Sequence, residues 1–106
     1  MKAITLILLV ASVLSVRAAD PKALWDANCA QCHGKDGRAD TKMGKQLSAK
    51  DLTDPKVQAS FTDAKATQSI KEGVKQGGKT TMKAFGGKLT DDEIKALVAY
   101  VRTLKK

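Results

Sequence analysis

The sequence predicts a small all-α domain in which three to four short helices wrap around a bound group. Three observations lead there. No run of residues alternates apolar and polar as a half-buried strand would. Three segments carry helix caps followed by apolar residues three and four apart. Leu, Ile, Val and Phe make up only 14 of residues 19–106. That share lies below the roughly 20% under which charged chains tend to stay disordered. The polypeptide alone cannot easily build a core, and small domains in this position are stapled by disulfides, a metal or a bound group.

Residues 1–18 are set apart from that domain. Lys2 is followed by an apolar run from Ile4 to Leu14, broken only by Thr5 and Ser12, and Val16-Arg17-Ala18 ends in a small-x-small-like cleavage pattern. This order reads as a cleaved secretory signal peptide. The run is shorter than the roughly 20 residues that span a bilayer, which argues against stable membrane insertion after cleavage. Residues 19–106 then form one domain with a net charge of +6, against +8 for the whole chain, and show no low-complexity block or internal repeat.

Asp20-Pro21 starts the first helix, because Asp accepts from the free N–H groups of the first turn and Pro is tolerated at the first helical position. The helix runs through about Ala30, with Trp25 one turn before Cys29 on the same face. Gly34 and Gly37 end it, and residues 34–55 read mostly as loop, apart from a short turn around Met43 to Leu47. Thr62-Asp63 caps a middle helix, which carries Ala66, Ile70 and Val74 at four-residue spacing until Gly77-Gly78. Four glycines between Gly77 and Gly87 place Met82 and Phe85 on an extended loop. The last helix is the plainest. Thr90 and Glu93 make a capping box, Asp91 and Asp92 suit the helix dipole, and Ile94, Leu97, Val98 and Val101 form one apolar stripe, with Leu104 and Tyr100 at its edge. Lys95, Arg102 and Lys105 fall on the other side.

The only two cysteines and the only histidine lie within Cys29-Ala30-Gln31-Cys32-His33, the attachment pattern for c-type haem. Two thiols one helical turn apart can each add to a vinyl group on the same porphyrin edge, and the adjacent imidazole then reaches the iron from one face. Export fits, since that attachment is made outside the cytoplasm. A disulfide between Cys29 and Cys32 would close a tiny loop of little entropic value. A structural zinc site lacks its second ligand pair, and a thioredoxin-like pair lacks its βαβ context. One covalently bound haem c, with its iron, supplies the apolar surface that the composition lacks.

Whether the iron is closed or open decides between electron transfer and chemistry on a bound ligand. No second His exists. Met43 follows His33 by ten residues, leaving little chain to pass around the porphyrin, whereas Met82 follows by forty-nine and sits on a loop able to return over the opposite face. Met82 is therefore the candidate sixth ligand and Met43 the alternative.

Trp25-x-x-x-Cys29-x-x-Cys32-His33-Gly34-x-Asp36-Gly37, then Gly44-Lys45, Asp51-Leu52-Thr53, Met82-x-x-Phe85, and the closing Leu89-Thr90-Asp91-Asp92-Glu93-Ile94 to Tyr100-Val101-Arg102 segment resemble the bacterial class I c-type cytochromes over nearly all of residues 19–106. The resemblance is closest to small soluble monohaem members and to haem domains of some terminal-oxidase subunits. It implies the class I cytochrome c fold, covalent haem on Cys29 and Cys32, and His33 and Met82 as axial ligands. It also implies terminal helices that cross with Trp25 and Tyr100 near the contact. Two positions depart from the pattern: Lys83 stands where many relatives have Pro after the ligand Met, and residues 35–54 hold no Pro to form the turn whose carbonyl orients the proximal His.

The expected function is that of a periplasmic electron carrier, not an enzyme, cycling one haem iron between ferric and ferrous states. Axial Met implies a positive potential. Lysines 35, 42, 45, 79, 83 and 88 fall in the two segments expected to flank the haem edge. They read either as a docking face for acidic redox partners, such as an oxidase, reductase or dehydrogenase, or as the solvated face of a basic protein. The alternative class is a haem enzyme or ligand-binding sensor with a displaceable Met82, for which no spare acid or base presents itself. Secretion and the lack of an aromatic-basic face argue against nucleic acid.

Overall fold

The computed structural model describes residues 20–106, so the leader at residues 1–18 lies outside the described residues. Six helices and one hairpin follow in chain order: α1 (Pro21–Asn28), α2 (Ala30–His33), α3 (Lys42–Gln46), α4 (Pro55–Ala59), α5 (Asp63–Glu72), β1 (Val74–Gln76), β2 (Lys79–Met82) and α6 (Asp91–Thr103). The expected three to four helices are thus six among the described residues, and the all-α expectation is corrected by the hairpin. No helix among the described residues is long and apolar enough to cross a membrane.

The expected caps form. The Asp20 side chain accepts from Lys22 N–H at 3.1 Å, the Thr62 hydroxyl accepts from Lys65 N–H at 3.1 Å, and both halves of the Thr90/Glu93 capping box close at 3.0 and 3.1 Å. The departures have local causes. The first helix breaks at Cys29, whose N–H caps α1 before α2 begins. Helix α4 starts at Asp54-Pro55 by the same Asp-Pro chemistry as α1, but five residues are too few to show a stripe.

Helix α5 stops at Glu72 because Gly73 takes φ +78°, so Val74, expected on the helix, begins a strand. Gly77 and Gly78, with φ +56° and +78°, are the two-residue turn of an antiparallel hairpin rather than a helix stop. The register pairs Gln76 with Lys79, Lys75 with Thr80 and Val74 with Met82, with a bulge between Val74 and Lys75. Strands of three and four residues, one irregular, offer no alternation to read.

Helices α1 and α6 pack against each other with the Trp25 and Tyr100 rings 5.6 Å apart, as the resemblance implies. Trp25, Ile94 and Leu97 are the most deeply buried large side chains. Ile70, Phe85, Leu89, Val98 and Val101 complete the core around them.

Candidate functional site

The core is open on one side. A cleft of about 190 Å³, or about 670 Å³ with its solvent-open mouth, lies between two walls. One wall carries Trp25, Cys29 and His33; the other carries Phe61, Ala66, Ile70 and Met82; Leu97 and Val101 of α6 and Leu52 close the cleft, and Lys65 and Ser69 are its remaining lining residues. The structure therefore brings Cys29, His33 and Met82 to one cavity. Cys32, half-buried, and Met43, half-buried on α3, do not line it.

The first wall is set locally. Trp25 Nε1 donates to Gly34 O at 2.9 Å, and its ring lies 5.6 Å from that of His33. Thr41 Oγ1 donates to Cys32 O at 2.7 Å while accepting from Gly44 N–H at 2.9 Å, and Ala39 N–H donates to His33 O at 2.8 Å. The loop after the motif is thus fastened to the motif's own carbonyls. Gly44 is required there, since a Cβ would lie 2.7 Å from Ala39 O.

The second wall depends on distant partners. The Arg102 guanidinium lies 4.4 Å from the centroid of the Phe61 ring. It donates to Phe61 O at 2.8 Å, to Gln58 O and Oε1 at 2.6 and 2.9 Å, and to Asp63 Oδ1 at 2.8 Å. Gln58, itself buried, donates through Nε2 to Leu52 O at 2.6 Å and Val101 O at 2.9 Å. This network bolts α4 and Phe61 to α6. Arg102 is not the solvent-side residue that the helical stripe suggests, and no local pattern marks Gln58. Met82 is held by the β1–β2 pairing. Beyond it, Phe85 N–H donates to Ile70 O at 2.8 Å and Gly86 N–H to Lys71 O at 3.0 Å, using carbonyls left free at the end of α5. Gly73 packs so closely against this segment that a Cβ would lie 2.6 Å from Met82 O. The Met82 loop is therefore tied at both ends despite Lys83 and its glycines.

The electrostatics match an apolar prosthetic group. Burial, reinforced by the neighbouring Cys32, pushes the Cys29 thiol up to about 11, so it stays protonated at neutral pH, and both cysteines are free. Burial pushes the His33 pKa down, keeping the imidazole in the neutral form that binds metals. His33 Nδ1 is buried with no hydrogen-bond partner among the described residues. A group left so typically costs about 1–3 kcal/mol. An apolar cleft with an available imidazole, a facing thioether and free thiols fits haem.

Such a cleft, opened between helices by a Cys-x-x-Cys-His turn and a facing Met, defines a c-type cytochrome domain. Residues 16–101 match the family described as cytochrome c oxidase, cbb3-type, subunit III, and the chain belongs to it. It is 38% identical over 81 residues to the cbb3-type cytochrome c oxidase subunit FixP of Azorhizobium caulinodans, covering 76% of this chain and 25% of that protein. Against FixP of Bradyrhizobium diazoefficiens the identity is 34% over 87 residues, covering 82% and 27%. The chain thus spans about a quarter of the length of these relatives. Among solved structures, the c-type cytochrome KustC0563 superposes with a TM-score of 0.73 at 38% identity, covering 82% of this chain and 99% of that one. A mutant of the same cytochrome gives 0.69 at 37%, covering 81% and 99%. Membership brings a c-type haem with its iron and electron transfer through it.

Proposed function

We propose that the protein is a periplasmic single-electron carrier that holds one haem c through thioether bonds from Cys29 and Cys32 and ligates its iron with His33 and Met82. The observation that carries this reading is that Cys29, His33 and Met82, drawn from both ends of the fold, line one apolar cleft. Cys29 and Cys32 would hold the group through sulfur, each thiol giving its sulfur to one carbon and its hydrogen to the other of a vinyl C=C, so that no oxidant would be consumed and the thiols would have to arrive reduced; both are free, and the raised pKa of Cys29 accords with that. The bound haem supplies the Fe(III)/Fe(II) couple. His33, its pKa lowered by burial and its ring beside that of Trp25, would hold the iron from the Cys29 side of the cleft. Met82, fixed by its hairpin, would hold it from the facing wall, and a thioether ligand would favour the ferrous state. The apolar lining would exclude water from the group, and with His33 and Met82 both bound little would rearrange on electron transfer.

On this reading electrons pass to and from redox proteins that present acidic surfaces, and the likeness to FixP, a cbb3-type cytochrome c oxidase subunit, supports an oxidase complex as one such partner. Lysines 35, 42, 79, 83 and 88 are exposed and make no salt bridge among the described residues, whereas Lys45 pairs with Asp40 at 3.0 Å. Charge reversal at Lys79 and Lys83 should slow association with the partner, and more at low salt, than reversal at Lys95 and Lys105. Equal slowing by both pairs would leave only net charge. Mass spectrometry of the exported protein tests both the single haem and the cleavage after residue 18. The near-infrared charge-transfer band of the ferric protein, present in the wild type and lost in Met82→Ala, tests the ligand set.

A further inference from the structure

Haem is not uniformly apolar, since its ring carries two carboxylates that must leave an apolar cleft where charge is met. Of the residues lining this cleft, Lys65 is the one that carries a full charge, and Ser69 one turn later is the one that offers a hydroxyl. Both also line a second, polar cavity of about 220 Å³ with Gln68, Glu72 and Lys75. The two cavities therefore share a wall made by one face of α5, apolar on one side and polar on the other. Lys65 is exposed, so its stem covers apolar surface while the ammonium stays in water. It makes no salt bridge among the described residues. Its acidic helix neighbour Asp63 is bound to Arg102, and Lys71, one and a half turns on, is paired with Asp91.

From this arrangement we infer that Lys65 and Ser69 hold a haem carboxylate at the mouth of the cleft, with the polar cavity beyond α5 as the outlet for the propionate edge. The inference rests on the haem reading above and adds the orientation of the group within the cleft. Lys65 supplies a charge-assisted hydrogen bond and Ser69 a neutral one. Gln68 and Lys75 offer further donors in the same cavity. Glu72, the one carboxylate lining it, disfavours the carboxylate and sets the limit on how far into the cavity that edge extends. A positive charge beside the haem also favours the reduced state, so Lys65 is a positioning residue that tunes the couple.

The test uses the holoprotein and reads the carboxylate directly. Resonance Raman spectra of Lys65→Met and Ser69→Ala should show a shifted propionate bending mode, with the larger shift in Lys65→Met, and the midpoint potential should fall in Lys65→Met. Lys65→Arg should restore the mode and the potential, which loss of packing alone would not allow. Lys95→Met, on the exposed face of α6, should change neither. An unchanged propionate mode in Lys65→Met and Ser69→Ala, in protein that still shows covalent haem and the Met charge-transfer band, overturns the carboxylate assignment and leaves the haem reading standing. Absence of covalent haem or of that band in the wild type overturns the haem reading itself.

Discussion

On the wall that carries Cys29 and His33, the side-chain hydrogen bonds that hold the site span nine residues, Trp25 to Gly34 and Thr41 to Cys32. On the wall that carries Phe61 and Met82, the bonds made by Arg102 reach 39 to 44 residues along the chain. The difference concerns what each wall needs before it exists. The first can form as soon as α1 and the loop after it are made. The Phe61 part of the second depends on α6, because the Arg102 bonds and the α6 residues Leu97 and Val101 arrive together.

The largest effect should come from removing the proposed haem attachment. Cys29→Ala with Cys32→Ala should leave the chain mostly unfolded, because its few large apolar residues cannot offset the ordering entropy. Circular dichroism showing native-like helicity and a cooperative melt would refute that. Next, Met82→Ala should abolish the charge-transfer band and lower the potential while the haem stays attached through the first wall, and Met43→Ala should do neither. Loss of the band in the Met43 variant would reverse the assignment.

Arg102→Ala should destabilise the holoprotein by roughly 2–3 kcal/mol, since it strips partners from Gln58 and Phe61 in one change. Arg102→Lys should rescue little, because an ammonium cannot make the forked contacts. A melting temperature unchanged in both would show that the second wall stands without the Arg102 contacts. A glycine pair sharpens the contrast. Gly73→Ala, at φ +78° and against Met82 O, should cost about 1–3 kcal/mol and weaken the Met band. Gly44→Ala, against Ala39 O and the Thr41 hydroxyl, should reduce stability with the band intact. If both glycine variants alter the band alike, the walls are not independent.

The smallest effect belongs to Asp51, whose carboxyl is held below its ordinary 3.8 by the Thr53 hydroxyl and backbone N–H. A depressed carboxylate contributes stability present above its ordinary pKa and lost as pH falls through the lowered one. Asp51→Asn should therefore flatten the acid limb of the stability curve slightly, as measured by chemical denaturation between pH 5 and about 2. A steeper limb would contradict that sign.

Much of the fold was legible because its signals are local. Asp20-Pro21, Thr62-Asp63 and the Thr90/Glu93 box are helix starts in which the capping atom lies within three residues of its donor, and all three form. The stripe of α6 named its buried face, and Cys29-x-x-Cys32-His33 named its cofactor, since both are spacings along a single helix or turn. Helix α4 was missed for lack of length, although its Asp54-Pro55 start repeats that of α1. The hairpin was missed because Gly77-Gly78 can end a helix or turn a strand pair, and three-residue strands do not alternate visibly.

What the amino-acid order determined by itself was therefore the Cys-x-x-Cys-His turn, the helix starts, the face that α6 buries and a composition low in large apolar residues. Only the tertiary structure decided that Arg102 turns inward to hold Phe61, that Gly73 lets Met82 approach α5, and that Lys65 and Ser69 stand between an apolar cleft and a polar cavity. The reason is one of range. A cap or a helical stripe is satisfied by neighbours a turn away, so its chemistry is written in the spacing. A guanidinium or a thioether finds its place through partners brought near only when the chain has closed on itself.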